Sequence, residues 1–119
     1  MIGRLHGIVI DCPDPSGLAA FYEQLLGMVR VQDEGDWVVI GDAPDRPGLA
    51  FVPAADFLPP TWPDPEVQQQ IHFDIMVDDL DTAEAATLRL GARRLSNAGN
   101  HSRVFADPAG HPFCLVQRR

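Results

Sequence analysis

The feature that most constrains this chain is an internal echo. "GIVIDCPDPSGLAAFYEQLLG" (residues 7–27) lies over "HFDIMVDDLDTAEAATLRLG" (residues 72–91). Each copy starts as an apolar strand, passes an acidic turn, enters a helix and stops at a glycine. In the first copy Asp14 is placed to cap the helix, with Pro15 at the first helical position, where a missing N–H costs nothing. Leu18, Phe21, Tyr22 and Leu25 recur at helical spacing, and Gly27 fits the position just past the helix end. In the second copy Asp81 and Glu84 have the spacing of a capping box, with Asp where Ser or Thr is usual. Ala83, Ala86, Thr87 and Leu90 form its expected buried stripe, and Gly91 ends it.

Three short strand patterns follow each helix, at 28–32, 37–41 and 49–53, then at 93–96, 103–106 and 112–117. The turns "DAPDRPG" and "DPAGHP" lead into the last strand of each set. Between the copies runs "PAADFLPPTWPDPEVQQQ", whose prolines mark a connector rather than a packed element. Phe57 and Trp62 make that connector a candidate lid. The reading is an α+β fold in one domain of 119 residues: a βαβββ module at about 1–56, the connector at about 57–70 and a second module at about 71–119. Two such modules are expected to pair curved mixed sheets around a cleft, with the helices on the outer faces.

Nine basic against seventeen acidic residues give a net charge of −8. That balance disfavours nucleic acid and anionic membrane surfaces as partners and favours cationic ligands. The opening "MIGRLHGIVIDC" has no h-region or cleavage site and no stretch reaches membrane-spanning length, so a cytoplasmic location is expected. Cys12 and Cys114 lack C-x-x-C spacing, which argues against a zinc knuckle or redox motif. Cys12 shares strand parity with Ile8 and Ile10 and reads as core. The two thiols leave opposite faces, so no disulfide between them is expected.

The stretch "QQIHFDIMVDD" (residues 68–78) places Phe73, Ile75 and Val77 on one face of a strand and His72, Asp74 and Met76 on the other. Three roles are open to His72: metal ligand, acid–base group, or hydrogen-bonded structural residue. Cys114 has no cation or helix N-terminus nearby to lower its pKa, so it reads as a small residue on a cavity floor.

Taken in order, "IDCPDPSGLAAFYEQLLGM", "HFDIMVDDLD" and "FADPAGHPFCLV" resemble the vicinal oxygen chelate superfamily of glyoxalases, bleomycin-resistance proteins and extradiol dioxygenases, and in particular its small glyoxalase-like domains. The resemblance covers essentially the whole chain. It implies metal ligands at equivalent places on the first and last strands of each module, which fall at Gly7, Ala50, His72 and Cys114. That set offers one imidazole and one thiol. Octahedral ions want several oxygen or imidazole donors, and catalytic zinc three protein ligands. No metal or other cofactor is therefore expected. Asp11 and Asp74 lie on the same strand faces, but a site drawing on them is not the family's. His6, beside Gly7, points to the opposite face unless the register shifts.

The resemblance favours metal-independent binding of a small molecule in a glyoxalase-like cleft, as in antibiotic or metabolite sequestration, by a homodimer. Ligand contacts are expected from His72, Asp74, Cys114, Trp37 and Trp62, the two indoles offering stacking surfaces. Trp37 is equally placed to cover a dimer interface. The competing reading is a metal-dependent lyase, isomerase or dioxygenase, so whether turnover occurs is open. A third is a structural module whose cleft is filled by its own side chains. Asp107, Gly110 and His111 belong to a turn and read as structural. His101 and Arg103 follow the loop "SNAGNHS", which is within reach of the cleft mouth but is expected as a solvated loop.

Overall fold

Both halves of the chain fold to one plan. The computed structural model describes residues 1–97 and 99–118. The first unit, Met1–Phe57, holds β1 (Gly7–Cys12), α1 (Pro15–Leu26), β2 (Val29–Asp33), β3 (Val38–Gly41) and β4 (Gly48–Pro53). The second, Leu58–Arg119, holds β5 (Phe73–Met76), α2 (Leu80–Arg89), β6 (Arg93–Asn97), β7 (Ser102–Ala106) and β8 (Pro112–Val116). Each unit is a four-stranded mixed sheet with one helix, in the orders β1-β4-β3-β2 and β5-β8-β7-β6. The first and last strands of each set pair in parallel and the other pairs are antiparallel. Even the irregularities repeat: β2 bulges between Arg30 and Gln32, and β6 between Arg94 and Ser96.

Strand alternation decides which side chains enter each core. Ile10 and Cys12 are buried on β1 while Val9 and Asp11 are exposed. Val38, Ile40, Leu49 and Phe51 continue the buried face and receive Leu18, Phe21 and Tyr22 from α1. The Tyr22 ring stacks on Phe51 at 5.9 Å and meets Phe21 edge-on at 4.9 Å. In the second unit Phe105 and Phe113 stack at 5.6 Å, opposite one another in the β7–β8 register. A fully buried aromatic ring of this kind contributes on the order of 2–3 kcal/mol.

The ends of α1 form as the sequence predicts. Asp14 accepts the Gly17 N–H at 3.2 Å, Pro15 opens the first turn, and Gly27 takes the left-handed φ of 69° that closes the helix. The second helix corrects the expectation, for its cap is Asp79 and not Asp81. The Asp79 carboxylate accepts from the Thr82 N–H at 2.9 Å and the Thr82 hydroxyl at 2.7 Å. Starting the helix two residues earlier buries Leu80 to 4% exposure and lets Gln117 Oε1 accept its N–H at 2.8 Å. The buried stripe shifts with it: Leu80 and Thr87 are buried, Ala83 and Leu90 half-buried, and Ala86 exposed. Among the described residues no helix is long and apolar enough to cross a membrane.

Candidate functional site

In the first unit the side chains alternate so that Gly7 and Val9 of β1, Val39 of β3, and Gly48 and Ala50 of β4 share the face opposite the α1 side. Their small size leaves a hollow of about 310 Å³, whose rim adds His6, Gln32, Trp37 and Arg46. Trp37 is half-buried, and its indole N–H donates to Gln32 Oε1 at 3.3 Å, while the Gln32 amide nitrogen donates to Glu34 at 3.1 Å. The ring is thus held at its N–H edge. At the floor, strands β1 and β4 approach closely: a Cβ on Gly7 would lie 2.7 Å from the Gly48 carbonyl oxygen. A Cβ on Gly48 would lie 2.5 Å from that of Ile40. Both atoms belong to backbone, so neither position accepts a side chain without moving the sheet.

The second unit carries the polar counterpart. Its register sets Asp74 opposite Cys114, just as Val9 stands opposite Ala50 in the first. The echo of Ala50 with Cys114, and of Gly7 with His72, is therefore built into the pairing of the strands. His72 Nε2 lies 3.1 Å from Asp74 Oδ1, and the Trp62 ring covers the imidazole at 5.2 Å with 15° between the planes. The connector carrying Trp62 is closed on itself. Thr61 N–H donates to the Val67 carbonyl at 2.8 Å, and the Val67 N–H donates to Thr61 Oγ1 at 2.8 Å. Cys114 is 5% exposed. Burial foremost, then the charge of Asp74 and a hydrogen bond to it, push its thiol up to about 11. A thiol so protonated at neutral pH is a poor nucleophile.

The four places where the resemblance implies metal ligands do not fit a metal together. Gly7 has no donor and no room for one, Ala50 offers a methyl group, and Cys114 holds its proton. His72, Asp74 and Cys114 do bring one donor atom each within 4.8 Å of one another. Of the five residues expected to contact ligand, His72, Asp74, Cys114 and Trp62 form this one cluster, and Trp37 stands on the first unit's hollow. Cys12 and Cys114 are both buried and form no disulfide with one another.

Two expectations lie outside these faces. Asp107, buried, accepts the N–H groups of Ala109 at 2.9 Å and His111 at 3.0 Å, so the turn is structural as read. Arg103 falls in the strand expected at 103–106, past the loop. It lies in β7 opposite Leu115, on the helix-facing parity, and pairs with Asp81 at 2.7 Å and Glu84 at 3.5 Å. Ala98, in the loop before it, lies outside the described residues. Arg46 and Gln32 were missed by reading the sequence, and the lone arginine within "DAPDRPG" was the only local signal for the first.

Residues 7–116 match the family described as Glyoxalase-like domain, and the chain belongs to that family. Solved structures of low identity share its fold. A glyoxalase/bleomycin resistance protein/dioxygenase family enzyme from Burkholderia phytofirmans PsJN superposes with a TM-score of 0.74 at 14% identity, covering 97% of this chain and 98% of that one. The fosfomycin resistance protein FosX from Listeria monocytogenes does so at 0.74 and 15%, covering 100% and 96%. TnmS3, an antibiotic binding protein from Streptomyces sp. CB03234, gives 0.64 and 19%, covering 99% and 98%. The fold is that of the vicinal oxygen chelate superfamily. No curated protein matches the chain at significant similarity.

Proposed function

We propose that this protein binds a small molecule without a metal ion, on the sheet faces that carry Gly7, Ala50, His72 and Cys114. The observation that carries the reading is the floor of the first hollow. Where a chelating relative needs donors it has Gly7 and Ala50, and the Gly48 carbonyl excludes a side chain at position 7. Such a surface suits apolar contact, with Trp37 as its flat wall, and in the second unit His72 and Asp74 offer polar contacts and Trp62 a flat one. The shared fold with an antibiotic binding protein supports sequestration as the form this binding takes. A cytoplasmic homodimer is part of the same proposal, and light scattering on a sizing column tests the dimer.

The deciding experiment is elemental analysis of untagged protein, purified without chelator and exposed to Mn, Fe, Ni and Zn, beside a thermal-shift screen of metabolites and antibiotics. Substoichiometric metal with a ligand that raises Tm is the expected result. Near-stoichiometric metal, lost in His72→Ala, overturns metal independence.

A second reading, a metal-dependent lyase, isomerase or dioxygenase, draws on the 4.8 Å cluster of His72, Asp74 and Cys114. It requires an ion strong enough to displace the Cys114 proton, which favours thiophilic metals. Metal retention by the parent protein and its loss in Cys114→Ser would supply the metal centre this reading requires.

A further inference from the structure

We propose that the ligand held in the first unit's hollow is an anion, a small molecule with a flat apolar body and one oxyanion group. The inference rests on reading that face as a binding site, and adds the chemistry of what it binds. The chain as a whole carries a charge of −8, yet no carboxylate lines this hollow among the described residues. Its charged or chargeable lining groups are Arg46 and His6.

Arg46 is set apart from the arginines that hold the fold. Arg30, Arg94 and Arg103 are each tied to carboxylates of their own helix and sheet. Arg46 has no ion-pair or side-chain hydrogen-bond partner among the described residues, and its backbone is pinned by the bond from its N–H to the Ala43 carbonyl at 3.1 Å. The Arg46 side chain is exposed at the rim, and an uncommitted guanidinium fork matches a carboxylate or phosphonate in two parallel hydrogen bonds. The positive character continues outward. A wider hollow of about 760 Å³ shares His6 and Arg46 and adds Arg4, with Asp45 as its acidic lining residue.

The floor defines the other end of the molecule. Val9, Val39 and Ala50 offer no hydrogen bonds from their side chains, and the Trp37 N–H is already given to Gln32. What remains of Trp37 is its apolar surface, suited to a planar ring. At about 310 Å³ the hollow sits at the small end of ligand pockets, which run roughly 300–1,000 Å³, so a body of one or two rings suits it. A cation of the same shape would gain the apolar contact and meet Arg46 with like charge.

The test uses three probes of one shape: 2-naphthoate, the neutral 2-naphthylmethanol and the cationic 2-naphthylmethylammonium. Binding to the full chain is read from the indole N–H cross-peak of Trp37 in ¹⁵N-labelled protein, assigned with Trp37→Phe. The naphthoate is expected to bind tightest and the ammonium weakest, with added salt weakening only the naphthoate. Arg46→Ala should weaken naphthoate by roughly tenfold or more, and Arg46→Lys should restore part of the loss. Arg89→Ala, an equal change in net charge on exposed α2, should leave naphthoate affinity unchanged. Equal binding of all three probes, or naphthoate affinity indifferent to Arg46→Ala, overturns the anion while leaving a binding face. No movement of the Trp37 signal with any probe overturns the binding face and the anion together.

Discussion

Position 7 shows how one residue governs what a module can do. The close approach of β1 and β4 leaves 2.7 Å between a Cβ there and the Gly48 oxygen. Grafting the histidine of the second module onto the first, as Gly7→His, is therefore expected to destabilise the protein by about 1–3 kcal/mol and to bring no metal. Urea unfolding and elemental analysis of the variant check both halves of that statement. Cys114 makes a second case. Its folded pKa of about 11 lies above the ordinary thiol value, near 8.5. The folded state holds the proton more tightly, so this contribution to stability is complete below the ordinary value and is lost as pH rises towards the folded one. Alkylation mapped by mass spectrometry should leave Cys114 unmodified in native protein near pH 7.5. Ready labelling there would contradict a buried, protonated thiol.

The two helix–sheet units repeat a device, an arginine three residues past the glycine that follows each helix, tied to a glutamate of that helix. Arg30, just before the bulge of β2, reaches Glu23 of α1 at 2.7 Å, and its guanidinium also donates to Ser16 and Asp33. Arg94, just before the bulge of β6, pairs with Glu84 of α2 and lies 5.7 Å from the Phe105 ring centre. Removing the anchor in Arg30→Ala should cost about 1–2 kcal/mol, more than an ordinary surface pair because four acceptors lose their donor together. At the start of α2, Asp79→Ala should destabilise the protein through loss of the cap, whereas Asp81→Ala, at a side chain 85% exposed, should destabilise it clearly less. Chemical denaturation of the two variants distinguishes them, and the reverse order would restore Asp81 as the cap. Hydrogen bonds from the Thr82 hydroxyl first and its N–H second, with the charge of Arg103, hold the Asp79 carboxyl below its usual range. The stabilisation it gives is present above the ordinary carboxylate pKa and fades as pH falls through the lower folded value.

For the molecule as a whole, net charge and site charge point opposite ways. The −8 of the chain acts at long range and is screened within about 8 Å at physiological salt, so it says little about the proposed groove, whose charges would meet a ligand at contact distance. The metal-independent binding proposed above has a consequence for the whole fold. It predicts that dialysis against a strong chelator leaves Tm unchanged, since on that proposal no binding energy of a metal is coupled to folding. A fall in Tm that zinc reverses would show the opposite.

Sequence alone determined the two βαβββ modules, the capping of α1 by Asp14 and Gly27, and the strand faces of Gly7, Ala50, His72 and Cys114. These depend on local rules: a period of two along strands, a period near 3.6 along helices, and the few residue types that cap. Tertiary structure alone decided the rest. The start of α2 was fixed by Gln117, 37 residues away from Leu80. The direction of Arg103 was fixed by the carboxylates of α2, the place of Trp62 by the His72 ring it stacks on, and the sharing of one hollow by Arg46 and Trp37 by the pairing of β2, β3 and β4 in one sheet. Long side chains and loops take their partners from whatever the fold brings within reach, and spacing along the chain does not carry that distance.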